Sequence, residues 1–90
     1  MNSIKATILH KICYTELVYG RINKKLNLQL SEADIELLIF NCIQETPDAN
    51  FQRIGKNIYV THIAKQIRIT INSYTYRVIT VDDLRKRLKA

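Results

Sequence analysis

Apolar side chains recur along this chain with two different periods. Up to residue 46 they return every three to four positions: Ile4, Ile8 and Ile12 with Leu9 beside them, then Leu17, Val18, Ile22 and Leu26, then Ile35, Leu38, Ile39, Cys42 and Ile43. After residue 50 they alternate: Ile58 with Val60, then Ile67, Ile69 and Ile71, then Ile79 and Val81. The first period matches the turn of an α-helix and the second the pleat of a β-strand. The pattern therefore predicts helices followed by strands.

Polar residues at the ends of these runs sharpen the boundaries. Ser3 is the expected N-cap of a first helix that ends near Cys13, and Thr15 that of a second, with Glu16 in its first turn and Arg21, Lys24 and Lys25 toward its positive-charge-favouring end. Tyr14 and Tyr19 flank this second helix. Gly20 falls in its middle, costs about 1 kcal/mol relative to Ala, and implies either close packing or a break. Ser31-Glu32-Ala33-Asp34 resembles a capping box with Asp in the place of Glu, and Thr46-Pro47-Asp48 stops the third helix.

In the alternating half, residues 51–54 and 57–61 flank Gly55-Lys56, a short hairpin signal. A loop over 62–66 leads to a strand from Ile67, and Asn72-Ser73-Tyr74-Thr75 supplies turn chemistry before a return strand. On that return, Arg77, Ile79 and Val81 alternate with Tyr76, Val78 and Thr80, which places Arg77 awkwardly with the core side. Asp82 is the expected N-cap of a short basic helix over 83–89, anchored by Leu84 and Leu88. The fold class is α+β in a single domain over residues 1–90: about three N-terminal helices packed on one face of a roughly four-stranded antiparallel meander, with a short C-terminal helix. An antiparallel sheet tolerates one solvated face. That open face is expected to carry Arg53, Tyr59, Thr61, Arg68, Thr70, Asn72, Tyr76 and Thr80.

Charge adds a second asymmetry. Residues 1–50 hold five Lys/Arg against six Asp/Glu, a net of −1, whereas residues 51–90 hold nine against two, a net of +7. A basic sheet face suits a polyanion such as RNA, and a small soluble protein also needs net charge for its own sake. The longest apolar run, from Leu37 to Phe40, is far short of a membrane span, and the first residues show no signal-peptide pattern. The expected setting is the cytoplasm, where Cys13 and Cys42, both placed on apolar helix faces, are reduced core thiols. His10 with Cys13 suggests half a zinc site, but Cys42 and His62 offer no pair spacing for the other half, and no metal or cofactor is called for.

The open face has chemistry for single-stranded nucleic acid. Arg53, Arg68 and Arg77 suit phosphate oxygens, Tyr59 can stack on a base, and Thr70 and Asn72 add hydrogen bonds. Thr, Tyr and Arg are also favoured in strands for propensity alone. Metal-free RNA cleavage would need a base, a cation and an acid, for which His62, Arg68 and Tyr76 are the candidates, with no carboxylate expected near them. The alternative is a non-enzymatic protein-interaction module, such as an inhibitor, immunity protein or small regulator, with Tyr59, Tyr74 and Tyr76 as anchors and homodimerisation through a strand edge as a variant. A DNA-reading helix is disfavoured, because residues 32–45 carry four acidic side chains and no cation.

Two resemblances accompany these readings. Residues 12–19 (Ile-Cys-Tyr-Thr-Glu-Leu-Val-Tyr) and 21–26 (Arg-Ile-Asn-Lys-Lys-Leu), together with Gly55-Lys56-Asn57 and the run Arg68-Ile69-Thr70-Ile71-Asn72-Ser73, resemble a short bacterial family of unknown function over nearly the whole chain. The order of elements over 51–82, and the strand from Arg68 to Ser73 returning through Arg77 to Thr80, is similar in topology to the small ribonuclease-toxin fold of bacterial interferases and colicin-type tRNases. That second likeness implies RNA cleavage and an inhibitor partner.

Overall fold

The computed structural model describes residues 4–87. Three helices come first, α1 (Ile4–Lys11), α2 (Val18–Leu26) and α3 (Glu32–Glu45). A 3-10 turn at Asp48–Asn50 leads into β1 (Phe51–Ile54), β2 (Asn57–His62), β3 (Ile67–Asn72) and β4 (Val78–Asp83). One helical turn, α4 (Leu84–Arg87), follows. The strands form one antiparallel sheet in the order β1-β2-β3-β4. Ile8 of α1, Val18 and Ile22 of α2, and Ile35, Ile39, Cys42 and Ile43 of α3 share one buried cluster with Ile58, Val60, Ile67, Ile69, Ile71, Val78 and Val81 of the sheet. The helices thus cover one sheet face, as the complementary apolar stripes require.

Local chemistry explains most boundaries. Ser31 Oγ accepts the Asp34 N–H at 3.2 Å and caps α3, which stops before Pro47. Thr46, fully buried just past its end, donates its hydroxyl to the Cys42 carbonyl at 2.6 Å and so satisfies both groups. The Thr15 side chain is not the cap of α2: the N-cap residue is Leu17, with no side-chain hydrogen bond, and the helix opens with the Val18 N–H on the Thr15 carbonyl at 3.2 Å. Asn27 closes α2 in the left-handed region at φ 56°. Gly20 marks neither a break nor a close approach, since α2 runs through it and a Cβ there would meet nothing within 4 Å. Gly55 turns the first hairpin at φ +59°.

The return strand departs from simple alternation. Ile71 pairs with Val78 but Thr70 pairs with Thr80, so Ile79 is an extra residue in a β-bulge. Val78, 2% exposed, takes the core position expected of Ile79, which is left half-buried, and Val81 returns to the core in phase. The outer edge of β4 is met by Cys13: its N–H bonds the Tyr76 carbonyl and its carbonyl accepts the Val78 N–H, both at 3.0 Å. Cys13 therefore lies beyond α1 and is exposed, not on an apolar helix face, whereas Cys42 is in the core. At the C-terminus Asp83, not Asp82, receives the Arg85 N–H at 3.0 Å. Ser3 and Leu88, with the end of the expected 83–89 helix, lie outside the described residues.

Candidate nucleic-acid interface

Strand register decides what the open face carries. Tyr59 pairs with Thr70, Thr61 with Arg68 and Asn57 with Asn72, while Thr70 pairs with Thr80 and Arg68 with Asp82. Gln52 and Ile54 join this face from β1, through Tyr59 and Asn57. Arg53 does not: it pairs with Ile58, a core residue, and its guanidinium lies 5.9 Å from the Tyr74 ring. Tyr76 does not either, because it adopts φ 60° in the turn and packs on the rim of the core with Lys11 above its ring at 5.5 Å.

Much of the open face is used internally. Thr70 is only 6% exposed, and the buried Thr80 hydroxyl has no partner among the described residues. Asn72 Oδ1 accepts the Tyr74 and Thr75 N–H groups at 2.8 and 2.9 Å, which commits it to the turn. The Tyr59 hydroxyl accepts from Asn57 at 3.2 Å, and Arg68 Nε reaches Thr61 Oγ1 at 3.4 Å. A shallow depression of about 320 Å³ is lined by Gln52, Ile54, Tyr59, Thr61, Arg68 and Asp82. Its one cation thus shares it with one carboxylate, and Asp82 also holds Lys25 at 3.4 Å.

His62 ends β2 instead of sitting in a loop, and its side chain is buried. Its Nδ1 accepts the Lys65 N–H at 3.0 Å, so the ring hydrogen sits on Nε2 and is donated to Glu45 Oε1 at 2.9 Å. A carboxylate does stand beside this histidine, contrary to expectation, and both ring nitrogens are engaged. The His62 hydrogen bond, aided by Lys65 at 3.6 Å, holds the Glu45 carboxyl below its usual range. His62 pairs with Ile67 and so faces the helix layer, Arg68 faces the other way, and Tyr76 lies at the opposite end of the hairpin. The three candidate catalytic residues are not brought together.

Arg77 does not converge with Arg68. The bulge leaves it exposed at the start of β4, where it lines a groove of about 260 Å³ with Thr15, Leu17, Val18, Arg21, Val78 and Ile79. Helix α2 packs along β4, with Val18 near Val78 at one end and Lys25 on Asp82 at the other. Positions 17, 21 and 24 follow one helical stripe on its solvent side, all exposed. Among the described residues no carboxylate pairs with Arg21, Lys24 or Arg77. Arg21 was not a candidate from sequence; the helical stripe holds the signal, but only the bulge brings Arg77 beside it. The acidic contacts of this region lie elsewhere: Tyr14 stacks on Tyr19, whose hydroxyl donates to Glu36 of α3 at 2.6 Å and is pushed up to about 12 by that bond.

Among the described residues no helix is long and apolar enough to cross a membrane, and no group of three or more His, Cys, Asp or Glu could hold a metal ion. Among curated proteins and among solved structures, nothing matches the chain. A family model described as "Protein of unknown function (DUF3781)" does match, over residues 6–82, and the chain belongs to that family.

Proposed function

We propose that this protein is an RNA-directed module that binds a single strand through the flank formed by α2 and the start of β4. One observation carries the reading: Arg21, Lys24 and Arg77 stand on one side of the fold with no carboxylate paired to them, whereas Arg68 on the open face, though in no ion pair itself, shares its depression with its cross-strand neighbour Asp82. Cations without internal partners attract phosphates and release counterions when they bind them. Binding is favoured over cleavage because His62, Arg68 and Tyr76 stand apart and both nitrogens of His62 are occupied.

Fluorescence anisotropy with a labelled single-stranded RNA at two salt concentrations tests this. Neutralising two phosphate contacts in R21A/R77A is expected to weaken binding about tenfold or more at low salt and to flatten the log K versus log salt slope by about 1.4. The R68A variant stays within about twofold of the parent. Equal affinity for the parent and R21A/R77A would sink the reading.

A second reading, a protein-docking module, draws on α3. Leu37 and Phe40 lie three residues apart on its outer side and are 59% and 38% exposed, with Glu36 beside them. Its homodimer form predicts a solution mass that rises with concentration in the parent and not in L37A/F40A. A constant monomer mass eliminates that form.

A further inference from the structure

Arg21 and Arg77 come from different elements, a helix and the residue before a strand, yet line one groove. Two like charges in a shared groove repel, and among the described residues no carboxylate is ion-paired with either. Leu17, Val18 and Ile79 give the groove apolar walls on which the ester carbon of a ligand can rest. Thr15, the remaining polar side chain of the lining, adds a hydroxyl able to donate or accept. Each guanidinium presents a planar fork that fits phosphate oxygens two at a time.

The charge count selects the kind of phosphate. An internal phosphodiester carries one negative charge, whereas a phosphomonoester carries about −1.5 to −2 at neutral pH. Two unpaired arginines match the second. A volume of about 260 Å³, against about 30 Å³ for one water, has room for such a group together with the sugar that carries it. We infer that the Arg21–Arg77 groove is a pocket for one phosphomonoester dianion; resting on the RNA-directed reading above, it receives the terminal phosphate of a strand, not an internal diester. Lys24, one turn further along α2, then meets the following backbone phosphate.

The test compares three oligoribonucleotides of one sequence, carrying a 5′-phosphate, a 3′-phosphate or hydroxyls at both ends, and adds a titration with inorganic phosphate followed by amide NMR shifts. One phosphorylated end is expected to bind about tenfold tighter than the unphosphorylated strand, and the arm that gains identifies which end is read. Inorganic phosphate should shift residues at Thr15 and Val78 and compete with that end. R21K/R77K keeps the charge but loses the forks, so it should retain salt-dependent binding and lose most of the end preference. Its amide spectrum confirms the fold. Equal binding of all three strands with no phosphate-induced shifts overturns the pocket and leaves RNA binding by the flank intact. Phosphate shifts that vanish in R21A/R77A, with no affinity for any strand, uphold the pocket for a small phosphomonoester and overturn the RNA reading instead.

Discussion

Arg68 and Arg77 sit on the two strands of one hairpin and end in opposite electrostatic settings. Arg68 lies mid-strand on the open face, half-buried, against Thr61 and across from Asp82. Arg77 lies at the start of the return, exposed, beside Arg21 and without a carboxylate. The basic excess of residues 51–90 therefore does not make a basic sheet face. What a cation offers to a ligand depends on what stands opposite it, and cross-strand neighbours sit close enough to cancel each other. The flank draws its charge from both halves of the chain, including a helix in the half whose net charge is −1.

The bulge turns Arg77 away from the core, and the length of the hairpin then keeps it from Arg68, which meets Asp82 at the other end, so the bulge is the first thing to test. Val78 is buried beneath the helices and Ile79 is the extra, half-buried residue. Val78→Ala should lower unfolding free energy by about 2 kcal/mol, through lost burial and a small cavity. Ile79→Ala removes more atoms yet should cost under about 1 kcal/mol, because much of that side chain already meets solvent. Urea denaturation of both variants decides the matter. A larger loss for Ile79→Ala would restore plain alternation, turn Arg77 toward the core side and remove the basis of the Arg21–Arg77 groove.

This same segment shows how far the sequence could be read. Helix α3 was legible throughout, since Ile35, Ile39, Cys42 and Ile43 keep one helical stripe and Ser31 makes the cap its position suggests. The first hairpin was legible because Gly55 stands where the turn needs a left-handed residue. The bulge was not. Val78, Ile79 and Val81 are all apolar and β-branched, so alternation alone cannot choose which two of them face the core, and the choice is made by packing against α2. His62 was misplaced for a related reason. Its partner Glu45 lies 17 residues away on α3, and no local pattern reports that pairing. The candidate site suffered most, since it depends on which side chains meet across elements, and sequence periodicity speaks only within them.

A milder perturbation probes the flank without touching its charges. Gly20 occupies the interior of α2, one residue before Arg21, and open space surrounds the position a Cβ would take. Gly20→Ala should raise stability by about 1 kcal/mol, by the helix propensity difference and the lower entropy of the unfolded chain. RNA affinity should stay unchanged while the midpoint of urea unfolding rises. A stabilised variant that binds RNA several-fold less well would place the strand against the α2 backbone at this glycine. An unstabilised one would mean that α2 is strained there in a way its geometry does not reveal.

The smallest expected effect asks whether Asp82 is the reason the open face is silent. Asp82→Asn keeps the size of the side chain and removes the charge opposite Arg68. RNA affinity at low salt should rise about two- to threefold, since one more cation becomes available to phosphate. The same change ends the ion pair of Lys25 with Asp82, and Lys25 belongs to α2, so a gain alone does not say which side improved. Adding Arg68→Ala separates them. If the gain disappears in D82N/R68A, the open face had been held neutral by Asp82 and now contributes. If the gain survives, it arises apart from Arg68, on the α2 side where Asp82 met Lys25. No gain in D82N would mean that Arg68 is restrained by its burial and by Thr61, and that charge pairing across the strands is not what distinguishes the two arginines.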